Sequence, residues 1–174
     1  LKESLINLFK EPGQYNFDDV ALSFNEQAVL FNTQGFYCDK PFRSKDFNKY
    51  WEDQKTKCRE GALYYGKKDV FYLTRDYYMW LNFLPIFDKE EKKYGFAKVR
   101  DAQYHMALYE MLAELHNKHV AILKKRQIAS SYFHMAKLIN QWVFESGAVL
   151  KIGASLKDYI NEKGSWKFLE EYKN

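Results

Sequence analysis

The chain has 174 residues, which allows one domain with a substantial core and is short for two. Its 47% hydrophobic and 29% charged residues exclude a disordered chain, and its net charge of +4 allows an anionic partner without requiring one. Cys38 and Cys58 have no partners at metal-ligand spacing, and no apolar run approaches the ~18 residues that cross a bilayer, so we expect free thiols and no membrane partner.

Aromatic residues dominate the first part of the chain, and we expect residues 1–95 to form a mainly helical N-terminal subdomain. Helix patterns occur at residues 1–10, 18–24 and 44–61. Val70–Leu73 is typical of a short strand, and Thr74 is expected to cap a helix that ends at Pro85. The charged segment 88–95 predicts a solvated loop. The aromatic residues within 64–87 are expected to be mostly core, with stacking on nucleic-acid bases as the alternative.

The pattern becomes regular in residues 96–174, which we interpret as a second unit. In chain order it predicts a helix at 101–117, a strand at 120–123, a helix with an apolar stripe from Met135 to Val143, a strand at 148–152 and a helix after Ser155. Helices and apolar strands in this alternation are typical of half of a doubly wound α/β sheet.

A basic segment with small residues, 124–131, follows the predicted strand and opens the next helix. Backbone N–H groups and a helix N-terminus at such a junction can hold a phosphate. The usual phosphate-loop pattern G-x-x-x-x-G-K-[ST] is not matched, because both glycines are absent and Ser130 stands at the position of the lysine. The lysines come earlier, at Lys124 and Lys125. The segment is therefore either a variant nucleotide loop or an ordinary basic turn before a Ser-capped helix.

Gln103 lies at the start of the helix that precedes this segment. A glutamine amide offers one donor and one acceptor side by side, which suits the edge of adenine, and Arg100 or Tyr104 could add stacking. The alternative is an ordinary first helical turn, with Asp101 near the positive end of the helix dipole.

The order of these features resembles the large terminase subunit of tailed bacteriophages, the ATPase of the DNA-packaging motor. The features are Arg100-Asp101-x-Gln103, a helix, an apolar strand, Lys124-x-Arg126-Gln127-Ile128-x-x-Ser131 and a further helix. The region from Tyr50 to Ile86 is similar to the aromatic region before the ATPase core in large terminases of gut phages of the crAss-like kind. The resemblance covers roughly residues 48–160.

The resemblance implies that residues 96–174 are the first half of a P-loop NTPase domain of the ASCE type, which binds ATP and Mg²⁺. Its nucleotide-binding residues would be Gln103, Lys124, Lys125, Arg126, Gln127, Ile128, Ala129, Ser130 and Ser131. Lys124 would contact phosphate, although only one of Lys124 and Lys125 can point inward, and the Ser131 hydroxyl would contact Mg²⁺. Ala129 stands where the family usually has glycine, so we expect a less tightly wrapped loop.

The function implied for the intact protein is ATP-driven packaging of double-stranded viral DNA into a preformed capsid, in the host cell cytoplasm. The implied partners are the DNA, the portal protein, the small terminase subunit and further copies in a ring. The metal-binding acid, the catalytic glutamate and the nuclease domain of the family are not in this sequence, and the chain begins at Leu1, so we expect a fragment that binds nucleotide without hydrolysing it. The alternatives are another P-loop translocase such as a helicase, and a non-catalytic phage structural or nucleic-acid-binding protein.

Overall fold

The computed structural model describes residues 10, 13–17, 20–88, 92–124, 128–153 and 170, apart from the side chains of Leu22 and Asp88. Within these ranges the chain is mixed α/β. The elements in chain order are α1 (Ala21–Phe24), α2 (Glu26–Gln34), α3 (Lys45–Glu60), β1 (Ala62–Tyr65), β2 (Val70–Leu73), α4 (Arg75–Phe83), β3 (Ile86–Asp88), β4 (Lys93–Gly95), α5 (Asp101–Leu115) and α6 (Ser130–Phe144). None of the helices in the described ranges is both long and apolar enough to pass through a lipid bilayer.

Local signals set the ends of α3 and α4, as the sequence predicts. The Ser44 hydroxyl accepts a hydrogen bond from the backbone N–H of Phe47 at 3.1 Å, and α3 ends at Gly61, which has a φ of +83°. Thr74 caps α4 in the same way, through the backbone N–H of Tyr77. These caps satisfy backbone donors that have no partner within the helix, and so they fix where each helix begins.

Helix α4 lies at the centre of the molecule and packs against α2, α3, α5 and α6. Three of its four aromatic residues are almost wholly buried, and Tyr77 and Trp80 both contact Phe133 of α6. The expectation that the aromatic residues of 64–87 are mostly core is confirmed for five of them on β2 and α4, which are Phe71, Tyr72, Tyr77, Tyr78 and Trp80, whereas Tyr65 is exposed. Residues on both sides of position 95 contribute to this one core.

The sheets consist of two antiparallel hairpins, β1 with β2 and β3 with β4. The second hairpin corrects part of the expectation of a solvated loop at 88–95: Asp88 and residues 93–95 lie in strands, whereas residues 92–94 are exposed as expected and residues 89–91 lie outside the described residues. Strand β4 pairs with β3, and the rings of Phe87 and Tyr94 meet edge to face with 5.2 Å between centroids. Such a cross-strand aromatic pair stabilises a short hairpin, and the charge pattern of the segment conceals it.

For residues 96–174, the predicted helices within the described residues are confirmed and the predicted strands are wrong. Helices α5 and α6 occupy the two predicted places, whereas residues 120–123 and 148–152 have no regular secondary structure. Leu123 is fully exposed and Val149 is 81% exposed. A strand needs a neighbour to accept its backbone hydrogen bonds, and in the described part of the chain each strand already pairs within its own hairpin. The helices predicted at 1–10 and after Ser155 lie outside the described residues.

Candidate functional site

Gln103 and the candidate loop lie together in the structure. Gln103 is 2% exposed in the first turn of α5, and its side-chain Nε2 donates a hydrogen bond to the carbonyl oxygen of Ile128 at 2.8 Å. The two residues are 25 positions apart in sequence. The contact therefore joins the predicted base-reading residue to the segment that would hold the phosphates.

Ala129 has the backbone conformation that favours glycine. Its φ of +55° and ψ of 20° lie in the left-handed region, directly before the first residue of α6. An alanine in this region costs roughly 1–2 kcal/mol, because its Cβ crowds the following carbonyl oxygen. The turn is thus formed without glycine, at a conformational cost that glycine would not have.

The two serines of the segment have different environments. Ser130, at the position of the usual lysine, is 4% exposed, and Ser131 is exposed in the first turn of α6. An exposed hydroxyl at Ser131 fits the contact expected with Mg²⁺, an ion that usually keeps several waters and binds through few protein groups plus phosphate oxygens. Within the described ranges, no cluster of three or more His, Cys, Asp or Glu could hold a metal ion.

The basic residues of the loop are only partly described. Lys124 is exposed and follows the exposed segment 120–123. Lys125, Arg126 and Gln127 lie outside the described residues. The predicted helix after the segment is therefore observed, and the predicted strand before it is not.

A cavity of about 430 Å³ adjoins Gln103 and Ala129, within the range of small-ligand sites. Its wall includes the buried side chain of Trp80 and three cations, which are Lys93, Lys98 and Arg100. No carboxylate is among the described residues that line it. Lys98 and Arg100 at this wall favour an anionic ligand.

Arg100 and Tyr104, the two expected stacking residues, have different places. Arg100 lines the cavity. Tyr104 is a core residue with no exposed surface, and its hydroxyl accepts a hydrogen bond from the backbone N–H of Tyr72 at 3.1 Å. Stacking by Tyr104 is therefore wrong, because its ring is fully used by the core.

A charged cluster holds the start of α6 against α5. The His134 ring places Nδ1 2.6 Å from the carbonyl oxygen of Ser130 and Nε2 2.7 Å from Glu110 Oε1. Lys137 Nζ lies 2.8 Å from Glu110 Oε2 and 2.6 Å from Glu114 Oε1. Both partners of His134 are acceptors, so a doubly protonated ring satisfies both contacts.

The charges in this cluster support each other. The hydrogen bond to Glu110 raises the pKa of His134 against the effect of burial. Burial alone would raise the pKa of Glu110, but hydrogen bonds from His134 and Lys137 hold it below its ordinary value. The cluster therefore favours an ion pair over neutral groups, and it positions Ser130 and the first turn of α6.

Sequence reasoning missed the cluster and most of the cavity wall. In the sequence, His134, Trp80 and the two lysines carry no local signal for a site. The partners lie on separate elements, so only packing brings them together. Comparison with protein-family models, with curated proteins and with solved structures gives no match to this chain.

Proposed function

We propose that this chain is the N-terminal, nucleotide-binding portion of a phage large terminase subunit, the ATPase that powers packaging of double-stranded viral DNA into procapsids. The observation that carries the proposal is the hydrogen bond from Gln103 to Ile128 at the wall of the basic cavity. The family resemblance supports the proposal, because it implies that Gln103 contacts the base and that the segment 124–131 contacts the phosphates of one nucleotide.

In this proposal the residues of the chain bind and orient ATP. The base lies near Gln103 and Arg100, and the triphosphate extends toward Lys124 and the first turn of α6, where the helix N-terminus favours negative charge. Mg²⁺ supplies charge neutralisation on the phosphates when bound, with the Ser131 hydroxyl as its contact in this chain. Hydrolysis requires acids that the sequence does not supply, so we expect binding without turnover.

We propose further that the exposed segment 120–123 is a contact surface of the intact protein. Its apolar residues Val120, Ile122 and Leu123 are exposed next to one another along the chain. Adjacent exposed apolar side chains can mark such a surface. The proposed partners are the portal protein, the small terminase subunit, viral DNA and further copies in a ring, in the host cytoplasm.

The test is nucleotide binding by the 174-residue chain, measured as a rise in Tm with ATP and Mg²⁺ and as a Kd by titration calorimetry. Lys124→Ala is expected to weaken binding about tenfold, because a charged phosphate contact is lost. Lys49→Ala, an exposed lysine on α3, is the matched control and should leave the Kd unchanged. The same measurement on Lys125→Ala decides which lysine contacts phosphate. Absence of any Tm rise at saturating ATP would contradict the proposal.

A second candidate function is nucleic-acid binding without nucleotide chemistry. It is favoured by the exposed, irregular segment 120–124, in which the strand of a phosphate loop is not formed. The same titration with double-stranded DNA in place of ATP separates the two. Salt-dependent binding of DNA together with no effect of ATP would favour this second function.

A further inference from the structure

Six aromatic side chains form a continuous row of ring contacts on the side of the molecule where α2 leads into α3. Neighbouring rings in the row lie from 4.6 to 6.3 Å apart between centroids. In order of contact, this aromatic row consists of Phe96, Phe31, Tyr37, Trp51, Phe47 and Phe42. Tyr37 and Trp51, in the middle of the row, also contact Phe83 of α4 at 5.1 and 6.4 Å. The row is therefore fixed to the core through its middle rings.

The aromatic row is exposed to solvent away from its middle. Phe42 is 75% exposed and Phe31 is 37% exposed, whereas Tyr37 and Trp51 are half-buried. Apolar side chains scattered singly over a surface need no explanation, but rings that contact one another on a fixed support form a patch, and such patches usually bind a partner. The exposed rings therefore point to a partner that contacts aromatic surfaces.

Phe42 and Arg43 occupy the two central positions of a tight turn. The backbone N–H of Ser44 donates to the carbonyl oxygen of Pro41 at 3.0 Å, which closes the turn. Arg43 has a φ of +63°, in the left-handed region that favours glycine. Its guanidinium carbon lies 5.2 Å from the centre of the Phe42 ring. The turn thus holds a cation against the most exposed ring of the row, in a backbone conformation that an arginine adopts only at a cost.

The charge around the turn is positive. Asp39 is paired with Lys40, with 2.9 Å between Oδ1 and Nζ. Arg43 and Lys45 are exposed, and neither has an ion-pair partner among the residues that the structure describes. Among the charged residues from 36 to 46, this leaves Asp46 against two unpaired cations, and the net charge of +4 on the whole chain has the same sign. A positive surface with exposed rings suits a polyanion that carries flat aromatic groups.

We propose that the aromatic row and Arg43 form a binding surface for single-stranded nucleic acid. Unpaired bases stack on the exposed rings of Phe42 and Phe31, and the guanidinium of Arg43 donates to phosphate oxygens. The partner is a single strand because the faces of bases in a duplex are covered by their neighbours and do not stack on protein rings. The inference does not rest on the proposed nucleotide function, since Phe42 and Arg43 do not line the cavity beside Gln103.

The first test compares three ligands of the unmodified 174-residue chain. Fluorescence anisotropy measures the Kd of a labelled DNA single strand of about 12 nucleotides, of a duplex of the same length, and of a strand of the same length without bases. We expect the single strand to bind at least about tenfold more tightly than either of the others. Equal or tighter binding of the duplex or of the strand without bases, or no binding of any of the three, would overturn the inference. A rise in Tm with ATP does not depend on this surface, so the absence of one activity leaves the other intact.

The second test removes the ring of Phe42. Phe42→Leu keeps an apolar side chain and deletes the aromatic face, and we expect it to weaken binding of the single strand about tenfold. Tyr65→Leu is the matched control, because Tyr65 on β1 is 74% exposed and lies outside the row. No loss of affinity in Phe42→Leu, or an equal loss in both variants, would overturn stacking on the row. If Phe42→Leu instead abolishes self-association of the chain in sedimentation and leaves the Kd unchanged, the row is an interface between copies and the inference is wrong.

The third test separates the charge of Arg43 from its backbone conformation. Arg43→Ala keeps the cost of the left-handed region and deletes the guanidinium. We expect weaker binding of the single strand and a slope of log Kd against log salt concentration that is smaller by about 0.7, the value for one phosphate contact. Arg59→Ala is the matched control, because the guanidinium carbon of Arg59 lies 5.3 Å from the centre of the Phe144 ring, outside the row. An unchanged slope in Arg43→Ala, or the same change in Arg59→Ala, would overturn the role of Arg43.

Discussion

Glu110 on α5 and His134 on α6 meet at 2.7 Å, between Oε1 of the carboxylate and Nε2 of the ring. They are 24 residues apart, and His134 also contacts the carbonyl oxygen of Ser130 through its other nitrogen. The pair ties the start of α6, where the candidate loop ends, to a buried carboxylate that is 7% exposed. The geometry of the loop therefore depends on charges outside it.

The first prediction is a pH dependence of stability centred on this pair. The raised pKa of His134 contributes stability that is present below its unfolded pKa and lost as pH rises through its folded pKa. The lowered pKa of Glu110 contributes stability that is lost as pH falls through its folded value. Both contributions are present together only at pH values between the folded-state pKa of Glu110 and that of His134. The free energy of unfolding, measured with urea from pH 4 to 9, should therefore be highest in that window.

Glu110→Gln should remove both contributions and cost about 1–3 kcal/mol near pH 6, because Lys137 and His134 lose a charged partner. Glu52→Gln is the control, since Glu52 pairs with Lys55 on the exposed face of α3 and its loss should leave the free energy of unfolding nearly unchanged. Unchanged pH profiles in Glu110→Gln would show that the cluster does not contribute to stability.

The second prediction concerns Asp76, a buried carboxyl whose charge the structure disfavours. Burial raises the pKa of Asp76 from 3.8 to about 6, and Arg75 opposes this only in part. The reason is geometric: Arg75 Nη1 lies 2.6 Å from Glu145, whereas its Nε is 3.6 Å from Asp76. The folded state therefore binds a proton that the unfolded state has released, and stability falls as pH rises from about 4 to 6.

Asp76→Asn removes this effect and should stabilise the protein by about 2–3 kcal/mol at pH 8, at about 1.4 kcal/mol per pH unit of raised pKa. At pH 3.5 the variant and the unmodified chain should differ little, because the carboxyl of Asp76 is mostly protonated in both the folded and the unfolded state. Free energies of unfolding at the two pH values give the comparison. A variant that is less stable at pH 8 would contradict the buried, disfavoured charge.

The third prediction concerns Gly61, which ends α3. Its φ of +83° and ψ of −178° are accessible essentially to glycine alone, and a Cβ there would lie 2.5 Å from the carbonyl oxygen of Leu73 and against the Tyr72 hydroxyl. Gly61→Ala should cost about 3 kcal/mol or more, from strain and collision together. Gly35 has a φ of +79° with a ψ of 6°, in the ordinary left-handed region, and no atom within 4 Å, so Gly35→Ala measures the cost of that left-handed conformation without a collision, at about 1 kcal/mol. Equal costs in thermal unfolding would exclude the collision.

The fourth prediction concerns the left-handed backbone of Ala129. Ala129→Gly relieves roughly 1–2 kcal/mol of strain and loses part of one packed methyl group, which is worth up to about 0.8 kcal/mol. The net expectation is a gain of about 0.5–1 kcal/mol in the free energy of unfolding, measured with urea. A loss of stability in this variant would show that the methyl contact to the core outweighs the strain.

Helix boundaries were predictable because they depend on neighbours in sequence. Ser44 and Thr74 cap their helices through backbone N–H groups three residues later, and Pro85 follows the end of α4.

The apolar stripe of α5 includes the buried residues Tyr104 and Leu108. The stripe predicted for α6 does not mark its buried face, because Trp142 and Val143 are exposed whereas Phe133, Ala136 and Asn140 are buried. The candidate site was predictable only in part: the sequence pointed to Gln103, Arg100 and the loop, but the contact of Gln103 with Ile128 and the cavity depend on how helices pack.

The sequence by itself determined α3 to α6, the caps at Ser44 and Thr74, strand β2 and the aromatic core, since each follows from side chains a few residues apart or from the amount of apolar surface to be buried. It did not indicate helix α2, and only the tertiary structure decided the other strands and the site. A strand exists when another strand accepts its hydrogen bonds, so the apolar runs 120–123 and 148–152 were indistinguishable in sequence from strands that are paired. A cavity forms where separate helices and strands pack against each other, and the sequence pattern of one segment does not determine that packing.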